Sequence, residues 1–197
     1  MNFRAIKIAF ALLLAPLSSH AFITNDVLEV ENAFRIKDIN ERVQQYRRLA
    51  EKGNTYAMVN LGVAYQIGSG VPKDQAEANR LYQQAASLGN PHAMKALGNY
   101  DAALKVLLKE SDSGNGNSSY GIALMYMFGK GVQQSNQETT RWLRKASDQG
   151  SMNASYMLGL EYKGTDREEA IRLFRKAGSL GHGGASAMVR ELEASPR

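Results

Sequence analysis

The groups in this sequence that could do chemistry are few. Three histidines occur among 197 residues and cysteine is absent, so the sequence has none of the Cys and His spacings typical of zinc sites. His182-Gly183-Gly184 has the glycine-rich form of an esterase oxyanion loop, but no Gly-x-Ser-x-Gly nucleophile elbow accompanies it. The acidic pair Glu168-Glu169 is explained by capping of a helix start. The sequence therefore predicts no catalytic, metal-binding or cofactor-binding residues.

Two glycine-rich stretches could instead hold a phosphate group. Tyr65 to Val71 reads YQIGSGV and Tyr126 to Val132 reads YMFGKGV, with the tyrosine, both glycines and the valine in common. A phosphate loop follows a strand and ends in Gly-Lys-Ser/Thr, which neither stretch does. Turns between paired elements are the favoured interpretation, because glycine adopts turn conformations that a Cβ disfavours.

The elements around these turns form a repeat. Five helix-like runs end at a glycine, with spacings of 36, 25, 36 and 31 residues: Gly53, Gly89, Gly114, Gly150 and Gly181. Small and apolar residues recur at helical spacing on both sides of the first turn, from Ala57 to Tyr65 and from Ala78 to Ala85. Each unit is predicted to be a helical hairpin, and such hairpins bury their apolar faces by stacking on one another.

Small residues also share one column of the repeat, namely Gly62, Gly98, Ala123 and Gly159. We expect a close approach between helices at each of them, with Tyr65, Tyr126 and Tyr162 filling the space beside them.

The full unit, from Ala57 to Gly89, reads A-x-x-x-L-G-x-x-Y-x-x-G-x-G-V-x-x-D-x-x-x-A-x-x-L-Y-x-x-A-A-x-x-G. This pattern resembles the Sel-one-like repeat, a relative of the tetratricopeptide repeat, and the resemblance covers about Asn40 to His182. It implies an all-α fold, a right-handed α-solenoid of stacked antiparallel helical hairpins. It also implies a binding or adaptor role, common in bacterial envelopes and in host-interacting exported proteins. Some secreted members carry cysteine pairs and are linked to β-lactam binding, whereas this chain has no cysteine.

The N-terminus is predicted to be a secretory signal peptide. Arg4 and Lys7 precede an apolar run from Ile8 to Leu17, which is too short to span a membrane. Cleavage is expected after Ala21, which gives a periplasmic or secreted protein with no integral membrane segment. The predicted organisation is a signal peptide (1–21), an N-terminal capping segment (22–39), the repeat solenoid (40–182) and a C-terminal capping helix and tail (183–197).

Basic residues recur nine and five positions before the repeat-ending glycines: Arg80, Lys105, Lys109, Arg141, Lys145, Arg172 and Lys176. Residues four apart share a helix face, so stacking would align these side chains as a basic ribbon for an acidic partner. The alternative is a solvated face, since acids at helix starts and bases in later turns are the order that the helix dipole favours.

The groove of the solenoid offers a second candidate surface. Four residues are predicted to be exposed on first helices or turns: Asn60, Tyr120, Met127 and Phe128. Most other methionines and the single Trp142 are expected in the core. Helices are predicted over 26–36 and 184–194, where they would cap the two ends of the stack.

The predicted function is that of a non-catalytic, exported protein–protein interaction scaffold that needs no cofactor. Its partner is expected to be another protein, such as an effector or an envelope component, with an acidic surface. Removal of residues 1–21 takes away Arg4 and Lys7 and leaves 22 basic against 19 acidic residues, a mild net charge of +3. Export and this mild charge make nucleic acid an unsuitable partner. One alternative, which rests on the family resemblance, is an immunity protein that neutralises a toxic effector such as a secreted lipase. A β-lactam-binding or -hydrolysing enzyme is the second alternative, and the missing cysteines argue against it.

Overall fold

The computed structural model describes residues 25–194, and all regular structure in that range is α-helical. The predicted signal peptide lies outside the described residues. Eleven helices are present there: α1 (Asn25–Phe34), α2 (Ile39–Glu51), α3 (Thr55–Ile67), α4 (Gln75–Ser87), α5 (Pro91–Ala96), α6 (Tyr100–Asp112), α7 (Gly116–Phe128), α8 (Asn136–Asp148), α9 (Met152–Tyr162), α10 (Arg167–Ser179) and α11 (Ala185–Ala194).

The described helices belong to two compact units that divide after Asn99. The N-terminal unit contains α1 to α5, and the C-terminal unit contains α6 to α11. Hairpins α3/α4, α7/α8 and α9/α10 each pack tightly, and α2, α6 and α8 pack against the first helix of the following hairpin. This is the stacked helical-hairpin arrangement of an α-solenoid, as the repeat pattern predicted.

Each hairpin of full length turns at its two glycines. Gly68 and Gly70 have φ values of +74° and +73°, and Gly129 and Gly131 have +63° and +71°. These left-handed conformations confirm the turn interpretation of the two glycine-rich stretches. The second glycine of each turn also lies against the preceding second helix. A Cβ on Gly70 would meet Val43 Cγ2 at 2.9 Å, and one on Gly131 would collide with the Tyr100 side chain.

The small-residue column is confirmed at two positions. Gly62 faces the Tyr82 ring and Gly159 faces the Phe174 ring, and a Cβ on either glycine would lie 2.7 Å from a ring carbon. The prediction that Tyr65 and Tyr162 fill this space is therefore wrong, because the rings next to Gly62 and Gly159 come from the second helix of the same hairpin. The corresponding position of Tyr126 beside Ala123 stays a prediction. At the equivalent pair in α7 and α8, Ala123 stands in place of the glycine and Leu143 in place of the ring.

Gly98 was wrongly placed in this column. It follows α5 with φ +81° and has open space around its Cα. The helix α5 has only six residues, so the chain leaves the helix before the position where a close contact would form. Gly98 therefore ends a helix, and no packing contact explains its size.

Polar side chains inside the C-terminal unit join successive repeats. Ser111 and Ser119 share a hydrogen bond of 2.6 Å between their hydroxyls, and Ser147 and Ser155 repeat it at 2.9 Å. All four residues are buried. Because a buried hydroxyl without a partner is costly, these pairs favour one register between the helices that carry them.

The terminal helices lie close to their predicted positions. α1 packs on α2 and α3, and α11 packs on α10, where Leu192 is buried beside Phe174. Among residues 25–194, no helix has both the length and the apolar character that a membrane crossing requires.

Candidate protein-binding surface

A local three-residue pattern opens the second helices α4, α8 and α10. Their N-caps are Asp74, Ser135 and Asp166, and each side chain accepts a hydrogen bond from the backbone N–H of a glutamate three residues later. That glutamate then pairs with an arginine a further three residues on. The cap thus fixes the helix start, and the helix spacing brings the carboxylate to the guanidinium.

These glutamates neutralise three of the predicted ribbon residues. Arg80 binds Glu77 through two nitrogens at 2.7 and 2.8 Å, and Arg172 binds Glu169 in the same way at 2.6 Å for both contacts. Arg141 meets Glu138 at 3.0 Å. The hydrogen bond from the arginine lowers the pKa of Glu77 and of Glu169, so both carboxylates stay ionised well below neutral pH.

The lysine column is neutralised between helices instead. Lys145 Nζ lies 3.1 Å from Asp112 of α6, and Lys176 Nζ lies 3.7 Å from Asp148 of α8. Each lysine therefore reaches back to the aspartate at the end of the second helix before it. Such exposed pairs add about 0–1 kcal/mol each to stability, but they cancel much of the positive potential that a ribbon would present.

Two predicted ribbon residues remain without an ion pair within residues 25–194. These are Lys105 and Lys109, both exposed on α6. Ala102 stands three residues before Lys105, where the other second helices of the unit carry glutamate. The prediction that basic residues recur along the second helices is therefore correct. Within the described residues, however, only the ribbon lysines of α6 are free of an ion pair.

Trp142 links the basic columns to the interior. Its ring is almost fully buried, with Lys145 Nζ 4.9 Å and Arg141 Cζ 5.7 Å from the ring centroid. The two cations therefore cover the ring from its solvent side. This arrangement orders the basic side chains of α8 rather than offering the indole to a partner.

The predicted groove residues are not equally accessible. Tyr120 is buried, with 6% of its surface exposed, so its proposed exposure is wrong. It stands next to Ser119 and Gly121 on a helix whose middle is enclosed by its neighbours, which a helix-face pattern alone did not reveal. Asn60 and Met127 are half-buried, and the Asn60 amide donates to the backbone oxygen of Tyr56.

Phe128 is exposed over 52% of its surface, in agreement with its prediction. The sequence reasoning missed Leu160, which is 41% exposed in the last turn of α9. Its place in the sequence could have identified it. Leu160 directly follows Gly159, which packs against the Phe174 ring, and the next residue along a helix points away from that contact. Phe128 and Leu160 are the large apolar side chains that the first helices of the C-terminal unit expose.

A further set of contacts recurs at a separation of 18 residues. Arg47 donates to the Tyr65 hydroxyl at 3.0 Å, and Arg144 donates to the Tyr162 hydroxyl at 2.6 Å. In the last repeat Arg175 pairs with Glu193, again 18 residues on, at 2.6 Å. Each contact joins a second helix to the helix that follows it. The arginine binds a tyrosine hydroxyl in the first two contacts and a glutamate carboxylate in the third.

The two histidines of the described chain are structural neighbours of tyrosines. His92 lies 6.1 Å from the Tyr56 ring, and His182 stacks on Tyr156 with centroids 3.9 Å apart. Burial lowers the pKa of His92 to about 3, and it also lowers the pKa of His182. Both imidazoles are neutral at pH 7. Within residues 25–194 no three His, Asp or Glu side chains form a group that could hold a metal ion.

The fold and these surfaces define an α-solenoid of helical hairpins with charged and apolar groups on its outside. The model of the Sel1 repeat matches residues 55–90, 117–151 and 153–182, which together make up just over half of the chain. The protein therefore belongs to the Sel1 repeat family.

Three known proteins illustrate the similarity. A Sel1 repeat protein from Oxalobacter formigenes is 23% identical with a TM-score of 0.55, covering 89% of this chain and 83% of its own. The immunity protein Pa5087 from Pseudomonas aeruginosa is 22% identical with a TM-score of 0.60, covering 87% and 79%. Both likenesses show the fold.

The third is a curated relative, an exopolysaccharide production negative regulator from Rhizobium leguminosarum bv. viciae. It is 27% identical over 139 residues, which are 58% of this chain and 52% of the regulator. The chain thus spans about half the length of that relative.

Proposed function

We propose that the protein is an exported, non-catalytic scaffold that binds another protein in the periplasm. The observation that carries this proposal is the exposure of Phe128 and Leu160 at the ends of α7 and α9, on helices whose other faces are tightly packed. Large apolar side chains on a rigid framework are typical anchors of protein interfaces, where a few residues supply most of the affinity. The surrounding charges would then select the partner.

The test uses the full chain with a C-terminal tag, produced in its own cells and purified from the envelope fraction. The protein retained with it is identified by mass spectrometry, purified separately and titrated against the tagged chain. Phe128→Ala and Leu160→Ala should each weaken the complex by about fivefold or more, as expected for interface anchors. Leu88→Ala is the matched control, because Leu88 is 58% exposed in the N-terminal unit. Equal affinity of all three variants would refute the apolar anchor.

Export is part of the proposal and rests on residues 1–21. Their basic start, the apolar run and the small residues before Phe22 support a cleaved signal peptide. Replacing Leu13 with Arg should keep the chain in the cytoplasm at its uncleaved mass. A wild-type chain that is found only in the cytoplasm would contradict export while leaving the binding proposal intact.

A role as an immunity protein is the second candidate. It is supported by the fold likeness to the immunity protein Pa5087 of Pseudomonas aeruginosa. The partner would then be a toxic effector, such as a secreted lipase, and neutralisation would follow from covering the effector's active surface. The effector to try is the product of a gene adjacent to this one, directed to the periplasm of a test strain. Co-production of this chain should restore growth; unchanged toxicity in the presence of a stable chain would remove this candidate.

We also propose that the protein has no catalytic activity of its own. The purified chain should not turn over a chromogenic β-lactam or a nitrophenyl ester above the rate in buffer. Turnover that follows the chain through purification, and that is lost on unfolding, would contradict this part.

A further inference from the structure

We propose that the outer face of α6, together with the end of α7, is the contact surface for an acidic segment of the partner. The surface, called the α6 face below, consists of Lys105, Leu108, Lys109 and Tyr126. This inference rests on the proposed binding function and assigns it a site. It also selects the partner by its chemistry, namely carboxylates that flank an apolar side chain.

The α6 face is the place where the 18-residue contact is missing. Leu108 stands where the other helices carry Arg47, Arg144 and Arg175, and Tyr126 lies 18 residues after it. In the other two tyrosine-bearing repeats an arginine donates to the tyrosine hydroxyl. No hydrogen bond of the described residues occupies the Tyr126 hydroxyl, and Tyr126 is half-buried. The phenol can therefore donate to a group from outside.

The lysines of the α6 face differ from their repeat equivalents in the same way. Arg141 and Arg172 stand in the column of Lys105 and are held by glutamates, whereas α6 has Ala102 at the glutamate position. Lys145 and Lys176 stand in the column of Lys109, and each is bound to the aspartate of an earlier second helix. As α6 is the first helix of its unit, no second helix of that unit precedes Lys109. At α6, therefore, the residues at three repeat positions lack the contacts that their equivalents make in the other repeats. These are Lys105, Leu108 and Lys109.

Helix geometry places these departures on one surface. Lys105, Leu108 and Lys109 lie at positions i, i+3 and i+4 and so share a face of α6. α6 packs on α7, which carries Tyr126. The result is a half-buried leucine between two exposed ammonium groups, with a phenol hydroxyl on the neighbouring helix. Lysine and tyrosine donors fit a carboxylate, and the leucine fits an apolar side chain next to it.

Charge complementarity decides the kind of partner. Along α8 and α10 an incoming carboxylate would have to displace Glu138, Glu169, Asp112 or Asp148 from its base. On the α6 face it meets two cations that have no ion pair to give up. An acidic protein segment is therefore steered to α6 rather than to the more numerous bases of the later helices.

The experiment is site-specific photo-crosslinking of the full chain in its own cells. The photoreactive amino acid p-benzoylphenylalanine replaces Leu108, or Arg175 in the equivalent column of α10. Two charge-reversed versions carry the Leu108 probe: Lys105→Glu with Lys109→Glu, and Arg172→Glu with Lys176→Glu. Both versions make the same change of charge in the same two columns, and circular dichroism establishes that both are helical.

The expected result is an adduct from the probe at 108 that the probe at 175 does not give. The α6 reversal should reduce this adduct at least tenfold, while the α10 reversal should change it less than twofold. The cross-linked peptide should contain Asp or Glu, and Lys in place of those acids should restore the adduct with the α6 reversal. Tyr126→Phe should weaken the complex severalfold, because only the hydroxyl is removed.

An adduct that survives the α6 reversal, or one that forms at 175 instead of 108, would overturn the α6 face. A crosslink to a second copy of this chain or to a glycan would also overturn it, because the partner chemistry would be wrong. If neither probe gives an adduct while the tagged chain still retains a stoichiometric protein, the α6 face fails and the binding function stands. If no protein is retained at all, the binding function itself fails.

Discussion

The contact between Gly159 and Phe174 gives a stability test in which the repeat supplies its own control. A Cβ on Gly159 would lie 2.7, 2.8 and 2.9 Å from Cε1, Cδ1 and Cζ of Phe174, a ring with no exposed surface. Overpacking of this kind costs about 1–3 kcal/mol. Replacing a helical glycine with alanine returns about 1 kcal/mol of helix propensity. We therefore expect Gly159→Ala to lower the free energy of unfolding by up to about 2 kcal/mol.

Phe174→Leu removes the ring that the new methyl group would strike. On its own, this substitution should lower the free energy of unfolding by about 1–2 kcal/mol, because it leaves empty space in the core. A Phe→Ala substitution typically costs more, about 3–5 kcal/mol. The double variant has the pair that the preceding repeat uses, Ala123 with Leu143. Its loss should therefore be smaller than the sum of the single losses by about 1 kcal/mol or more.

The assay is urea unfolding followed by the fluorescence of Trp142. This is the single tryptophan of the chain, and it belongs to the same unit as the altered residues. Gly178→Ala is the matched control, because a Cβ there meets its nearest neighbour at an ordinary 3.6 Å. It should stabilise the unit or leave it unchanged. Additive losses in the double variant, within about 0.5 kcal/mol, would refute the proposed ring-to-glycine contact.

Three further predictions follow from the turn, the histidine and the leader. Gly131→Ala should destabilise the chain by more than about 1 kcal/mol, because φ is +71° and the methyl group would strike Tyr100; Gly164→Ala, in open space, should be nearly neutral by the same urea assay. The pKa of His92 is about 3 in the folded chain and about 6.5 in the unfolded chain. Between these pH values only the unfolded chain binds a proton at this imidazole. The free energy of unfolding therefore falls as the pH drops below about 6.5, by at most about 1.4 kcal/mol per pH unit. His92→Gln should flatten this slope in urea titrations at pH 7, 6 and 5. These are followed by circular dichroism, because His92 lies in the N-terminal unit and Trp142 in the C-terminal unit. An unchanged slope would contradict the assignment. Mass spectrometry of the exported chain should give Phe22 as its first residue, and an intact Met1 would disprove cleavage.

Much of the fold could be predicted from the sequence because glycines mark the ends of the helices in each repeat. The glycines that end each helix-like run, and the paired glycines of the two turns, need positive φ, so their positions alone indicate where the helices stop. The hairpin partners follow from the apolar spacing on either side. The trimmed second repeat was also evident, since Tyr100 follows too soon after Gly89 for a full hairpin.

The misplaced residues share a physical cause. Gly98 has the sequence neighbours of the small-residue column, but α5 ends before it and the contact never forms. Tyr120 has a polar-looking helix environment of serines and glycine, yet those small residues let neighbouring helices close over it. Both errors arise because periodicity gives the direction of a side chain and not the distance to the next helix.

The sequence predicted which basic residues form the candidate surface, but it did not predict which of them are held in ion pairs. The basic columns could be counted from the sequence, whereas the aspartates that neutralise Lys145 and Lys176 come from helices 33 and 28 residues earlier in the chain. Such pairings depend on which helices stack. The uncommitted lysines of α6 became visible only when the ion pairs of the neighbouring repeats were known.

We have proposed that this Sel1 repeat protein acts by binding one protein partner. The most direct measurement is sedimentation velocity of the tagged chain mixed with the purified protein that it retains from the envelope. A discrete 1:1 complex with a dissociation constant below about 1 μM at physiological salt is expected. If no envelope protein is retained in stoichiometric amount at either low or physiological salt, the protein does not act by binding one partner.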